Sequence, residues 1–203
     1  MGLISEALVS VAEVKEYIEQ ISGTGMDALL ERLINASSLK IKDALQGHLY
    51  IQETATEDYT GSNKPGKLGG ARRLWLKKSP IVSVTSITDD DGTTIASSDY
   101  TIVAQEGYLE HDWYWPAPTY RWTIVYTAGE ATSATGVPEK AKLACTLEVA
   151  ALMQARKKPG AMHQHQGSRG SSRTVIREKP HNPAGLLSDE AYTLIEPDIR
   201  HWV

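Results

Sequence analysis

The sequence predicts an α+β fold: a small helical bundle of two N-terminal helices and a long central helix, with an antiparallel β-sheet region inserted between them and a C-terminal arm ending in a short helix. Three observations predict it. Apolar residues recur at helical spacing across 10–22, 27–47 and 138–158, residues 49–127 alternate with a period of two, and the composition turns polar and basic after residue 158. The expected organisation is a domain over 1–158, followed over 159–203 by a basic arm and a terminal docking helix.

Ser10 and Glu13 have the spacing of a capping box, and Val9 is placed to staple onto Val14, so a helix should start at Val11. Val11, Val14, Ile18 and Ile21 share its apolar face until Ser22-Gly23-Thr24-Gly25 breaks it. A second helix begins at Asp27, whose carboxylate suits a first turn, and carries Leu30, Leu33, Ile34, Ile41, Ala44 and Leu45 to a stop at Gly47. Two such helices cannot close a core, and the third supplies the partner. Pro138 fits its first position, where no N–H donor is needed. Rows through Leu143, Leu147, Ala150 and Ala151 and through Cys145, Val149, Leu152 and Met153 make it apolar over more than half its circumference, so other elements must wrap it. It ends in Arg156-Lys157-Lys158-Pro159-Gly160, cations in the last turn and then a stop.

Between the helices, Arg73 to Lys77 reads as a strand, Ser79-Pro80 breaks it, and Ile81 to Thr88 is β-branched. Asp91-Gly92 marks a hairpin turn, Tyr100 to Val103 a further strand and Glu106-Gly107 another turn. Tyr120, Trp122, Ile124 and Tyr126 form the aromatic face of a last strand, and Trp75 and Trp122 are expected to anchor the sheet's covered side. Trp113 and Trp115 lie in a proline-rich tip, Trp113-Tyr114-Trp115-Pro116-Ala117-Pro118, that either meets a partner or folds back onto the sheet.

The chain has 203 residues and a formal charge of −4. No apolar run approaches the ~20 residues needed to span a membrane. The N-terminus lacks a basic region before an apolar one, so no signal peptide is expected and the cytoplasm is the default location. Cys145 is the single cysteine, which excludes an internal disulfide, and its helical neighbours mark it as a small buried hydrophobe.

Residues 61–67, Gly-Ser-Asn-Lys-Pro-Gly-Lys, match a phosphate-binding loop up to its last position. Leu68 replaces the hydroxyl residue that would hold magnesium, and a strand pattern follows where a helix is required, so this is a loop. Asp89-Asp90-Asp91-Gly92 lacks the alternation of a calcium loop, and His163, His165 and His181 have no acid or cysteine companions that complete a metal site. No catalytic residue, cofactor or metal is expected.

From residue 156 to 181, Arg156, Lys157, Lys158, Arg169, Arg173, Arg177 and Lys179 face one acid, Glu178, a net of +6 that leaves −10 on the rest of the chain. With hardly any apolar residue, residues 159–183 should be a mobile arm. It suits nucleic-acid phosphates, in a mode that weakens steeply with salt, or an acidic surface of a neighbouring copy, and the remaining alternative is a solvated tail. Beyond it Leu186, Leu187, Tyr192, Leu194 and Ile195 form a short helix suited to docking on its own body or on a partner.

Several segments in order resemble the head-tail connector (adaptor) family of tailed bacteriophages. They are residues 8–18, from Leu8-Val9-Ser10 to Tyr17-Ile18, residues 29–37, residues 79–87, Asp99-Tyr100, Tyr126-Thr127-Ala128-Gly129, and Val137-Pro138 leading into the long helix. The resemblance covers roughly Leu8 to Met153, and the 187–197 helix is similar to the family's ending, whereas the 159–183 arm departs from it. It implies a non-enzymatic virion protein that assembles as a ring, typically dodecameric, beneath the portal. Such a ring extends the DNA channel and joins the capsid to the tail or its stopper, with DNA passing through without sequence specificity. The implied location is the head-tail interface, with assembly in the host cytoplasm and no membrane partner. Arg156, Lys157, Lys158, Arg169, Arg173, Arg177, Lys179, Leu186, Leu187, Tyr192, Leu194, Ile195, Trp113 and Trp115 are the candidate partner-binding residues. The alternative is a small DNA-binding protein that uses the basic arm.

Overall fold

The structure is a computed structural model that describes residues 2–18, 23–59, 72–89, 91–112, 115, 121–157 and 187–199. The chain divides into two units, Met1–Ala44 with Glu139–Pro197, and Leu45–Pro138 with Asp198–Val203. Among the described residues, four α-helices and two antiparallel sheets make it α+β.

The first unit holds helices α1 (Val11–Tyr17), α2 (Asp27–Ala44), α3 (Glu139–Lys157) and α4 (Asp189–Ile195). The capping box forms as the sequence requires: Glu13 N–H donates to Ser10 Oγ at 3.2 Å and Ser10 N–H donates to Glu13 Oε2 at 2.7 Å. Val9 and Val14 are both buried. The helix is shorter than its apolar spacing suggested, because Ile18 leaves helical geometry at φ −99° and ψ 77°. Ile21 lies outside the described residues.

Helices α1, α2 and α4 all pack against α3, which is the central helix of this unit. Leu30, Ile34, Ile41, Ala141, Ala144, Cys145 and Val149 are buried completely. Where α2 meets α3 the residues are small and polar. Ser38 Oγ lies 3.6 Å from Cys145 Sγ and accepts from Leu8 N–H at 3.1 Å, which also ties down the N-terminal segment. Asn35 holds that segment at a second point, through Ile4 N–H and the Gly2 carbonyl.

The second unit contains β1 (Glu53–Tyr59), β2 (Arg73–Trp75), β3 (Ile81–Asp89), β4 (Tyr100–Val103), β5 (Tyr108–His111) and β6 (Trp122–Ala128). They form two three-stranded antiparallel sheets, ordered β1-β6-β3 and β2-β5-β4. Strand β6 is central in its sheet and buries Trp122, Ile124, Tyr126 and Ala128 on one face, as the alternation predicts.

Trp75 corrects one expectation, since it is 46 % exposed while Leu74 and Leu76 on either side are buried. Successive strand residues face opposite ways, so two inward leucines force the tryptophan between them outward. Trp115, by contrast, is 1 % exposed and sits beside Tyr100 and His111.

Two glycines mark positions closed to any other residue. Helix α2 stops at Ala44, earlier than predicted, and Gly47 follows at φ 111°, where a Cβ would stand 2.0 Å from the Lys77 carbonyl oxygen. Gly129, at φ 128° after β6, would place one 2.6 Å from Gln52 Cα.

Candidate assembly surfaces

Helix α3 carries a buried carboxylate at its middle. Glu148 is in the interior of the first unit, where Oε1 accepts from Lys40 Nζ of α2 at 3.0 Å and Oε2 accepts from Ser188 N–H at 2.8 Å. Burying a carboxylate is unfavourable unless charge and donors meet it, and here one oxygen has the charge and the other the N–H. The residue therefore joins three helices. Ser188 is the N-cap of α4, so the carboxylate fixes where that helix begins. Leu187, Ala191, Tyr192 and Ile195 are buried and Leu194 is half-buried, so the terminal helix docks on its own chain's α3. One turn before Glu148 lies Cys145, whose thiol is pushed up to about 12 by burial, and further by the Glu148 charge, against the lowering effect of Ser38. Such a thiol is unreactive in the native state.

A second feature is a groove on the first unit between the start of α2 and the end of α3, lined by Gly25, Met26, Ala28, Leu29, Arg32, Met153 and Arg156. Leu29 and Met153 give it an apolar floor, while Arg32 and Arg156 are exposed at its rim. Among the described residues neither arginine has an ion-pair partner. The groove thus offers two fork-shaped cations above apolar surface, which suits a segment carrying carboxylates beside apolar side chains.

In the second unit, Glu57 is a buried acid on β1. It accepts from Lys77 N–H at 3.1 Å and from the Tyr126 hydroxyl, and the Tyr59 hydroxyl sits between Glu57 and the Trp75 carbonyl. These bonds tie β1 to β6 and to the segment after β2, so this carboxylate organises strands. On the other sheet, exposed Trp75 pairs across strands with Tyr108 at a ring separation of 4.7 Å, and Arg73 covers the Tyr108 ring at 4.9 Å. Tyr50 donates to Asp198, which secures the returning C-terminal segment, and its hydroxyl is raised far above its ordinary value by burial and then by that carboxylate.

Of the residues expected to bind partners, Arg156 is exposed on the groove, whereas Leu187, Tyr192 and Ile195 are already engaged with α3 and Trp115 has folded inward. Lys157 ends α3. Lys158, Arg169, Arg173, Arg177, Lys179, Leu186 and Trp113 lie outside the described residues, as do residues 61–67 and His163, His165 and His181. Sequence reasoning missed Glu148, Glu57 and Arg32. A charged residue interrupting an otherwise apolar row, as Glu148 does between Leu147 and Val149, was the available signal. Among the described residues no group of three or more His, Cys, Asp or Glu is placed to hold a metal ion. No described helix is long and apolar enough to cross a membrane.

A family profile described as head completion protein matches residues 7–180. Among solved structures, the chain is similar to one in the neck of an empty GTA particle computed with C6 symmetry. The TM-score is 0.64 at 18 % identity, covering 100 % of this chain and 95 % of that one. A chain in the neck of a native GTA particle computed with C12 symmetry gives 0.62 at 20 % identity, covering 100 % and 94 %. One in the virion of a native gene transfer agent (GTA) particle gives 0.58 at 19 %, with the same coverage. At these identities the likeness is one of fold. No curated protein matches the chain.

Proposed function

Because the chain belongs to the head completion protein family, we propose that it is a head-tail connector whose copies form a ring beneath the portal, extend the DNA channel and join the capsid to the tail or its stopper. The family is one of structural phage proteins, and the observation that carries the reading is its match across residues 7–180. A ring is further supported by the fold likeness, along the whole chain, to neck chains of particles computed with C6 and C12 symmetry. Twelve copies is the stoichiometry we propose. The protein acts in the virion at the head-tail interface, assembles in the host cytoplasm, and meets DNA without sequence specificity.

A closed ring needs two unlike patches per copy, each meeting the other on the next subunit. The groove rimmed by Arg32 and Arg156 is suited to be one of them, because outside its basic stretch the chain is strongly acidic and a neighbouring copy offers the opposite charge. Negative-stain microscopy of the purified protein, alone and mixed with the cognate portal, tests the reading. Rings, or an added layer on the portal, are expected. Absence of both, with both proteins folded, overturns it, and salt-dependent DNA binding by the monomer would then favour the basic arm as a nucleic-acid contact.

A further inference from the structure

We propose that α4 is an exchangeable clasp: in the assembled ring each copy's α4 leaves its own α3 and occupies the identical seat on the α3 of a neighbouring copy. The inference rests on the ring reading above and adds to it the segment that links the copies.

The seat is specific. It takes the apolar face made by Leu187, Ala191, Tyr192 and Ile195, and it fixes the start of the incoming helix through Glu148 Oε2 and the Ser188 N–H. It also cannot stand empty without loss, since an α3 lacking α4 would expose apolar surface and leave Glu148 with Lys40 alone.

The connection is far longer than this seat requires. Ser188 is held by Glu148, nine residues before the end of α3 at Lys157. At 1.5 Å per residue the return path is about 14 Å. Helix connections within bundles usually take about 2–8 residues. Here 31 residues, 158–188, separate the two helices, and a chain of that length reaches up to about 100 Å. The same tether therefore serves the chain's own seat and that of an adjacent copy.

Exchange reproduces every α3–α4 contact, so the contact energies cancel between the two arrangements. What remains is chain entropy. Closing a loop depends only weakly on its length, so a long tether holds its own seat little better than a second seat presented within reach. An isolated copy has one seat available and uses it, as the structure shows. In a ring each α4 faces a neighbour's seat at fixed spacing, and donor and acceptor are different surfaces, which is the head-to-tail arrangement that closes a ring.

Cross-linking distinguishes the two arrangements. In a Cys145→Ala background, one preparation carries Lys40→Cys and another Asp189→Cys, two positions open to the reagent. They are mixed, assembled alone or on the portal, and treated with a short bis-maleimide. Covalent dimers containing one copy of each kind are expected in the ring fraction and not in the monomer fraction. A second pair, Lys40→Cys with Ser188→Cys, repeats the test from the residue whose N–H meets Glu148. Rings in which both pairs fail to join copies, while the corresponding double variants cross-link within one chain, overturn the exchange and leave the ring standing. Failure to form any ring, with the protein folded, overturns the ring and the exchange with it.

Discussion

Replacing Glu148 should loosen the terminal helix by an amount that its contacts define. In Glu148→Ala the Ser188 N–H loses a charged acceptor at 2.8 Å and Lys40 loses its partner at 3.0 Å. A hydrogen bond to a charged group contributes about 1.5–3 kcal/mol. The Lys40 pair joins α2 to α3 and persists when α4 opens, so it does not enter the opening energy of that helix. The loss on opening α4 is therefore about 1.5–3 kcal/mol. Opening of α4 alone should then become roughly 10- to 150-fold more frequent, since each 1.4 kcal/mol is a factor of about ten. Native-state hydrogen exchange reads this directly, because local opening is measured residue by residue. Amides of residues 191–195 should lose protection by that factor, while those of α2 facing α3 change little. Glu148→Gln keeps an oxygen for Ser188 N–H and loses only the charge, so its effect should be about 1 kcal/mol. Unchanged α4 protection in Glu148→Ala, or equal damage from Gln and Ala, would refute the argument that this carboxylate seats the helix.

Ser10→Ala should cost about 1 kcal/mol in urea unfolding followed by helical circular dichroism, through loss of the α1 cap. The same variant should alter the acid limb. Burial raises the Glu13 carboxyl, but Ser10 and Lys142 outweigh it and hold it below its ordinary value of 4.5. Glu13 thus adds stability above pH 4.5 that is lost as pH falls through its lowered folded value, and Ser10→Ala should flatten that loss. Cys145 should resist a maleimide in native protein at pH 8 and react fully in denaturant, and rapid native labelling would contradict its burial. Gly129→Ala should lose more than about 3 kcal/mol, or fail to fold, because its Cβ would meet backbone on both Ile51 and Gln52. Soluble expression and thermal melting will show whether it does.

Local chemistry was legible wherever neighbours in the sequence are neighbours in space. The Ser10–Glu13 box, the Asp27 start of α2 and the alternation of β6 all depend on residues within about one turn or one strand, and each formed as expected. Helix lengths were less legible, since apolar spacing continues to Ile21 and Leu45 while the backbone leaves the helix at Ile18 and after Ala44. Trp75 illustrates a further limit: aromatic character suggested an anchor, but the pleat assigns faces by parity, and Leu74 and Leu76 took the inside.

By itself, then, the sequence determined the α+β class, the order of the helices and of β2, β3, β4 and β6, and the buried character of α3, because these follow from periodicity and from residue types at fixed spacing, whereas β1 and β5 carried no such signal. Only the tertiary structure decided which polar groups meet. Glu148 lies 108 residues from Lys40 and 40 from Ser188, and Glu57 lies 69 from Tyr126. Whether a buried carboxylate is a defect or a junction depends on the donors that reach it, and chain folding alone brings those donors together.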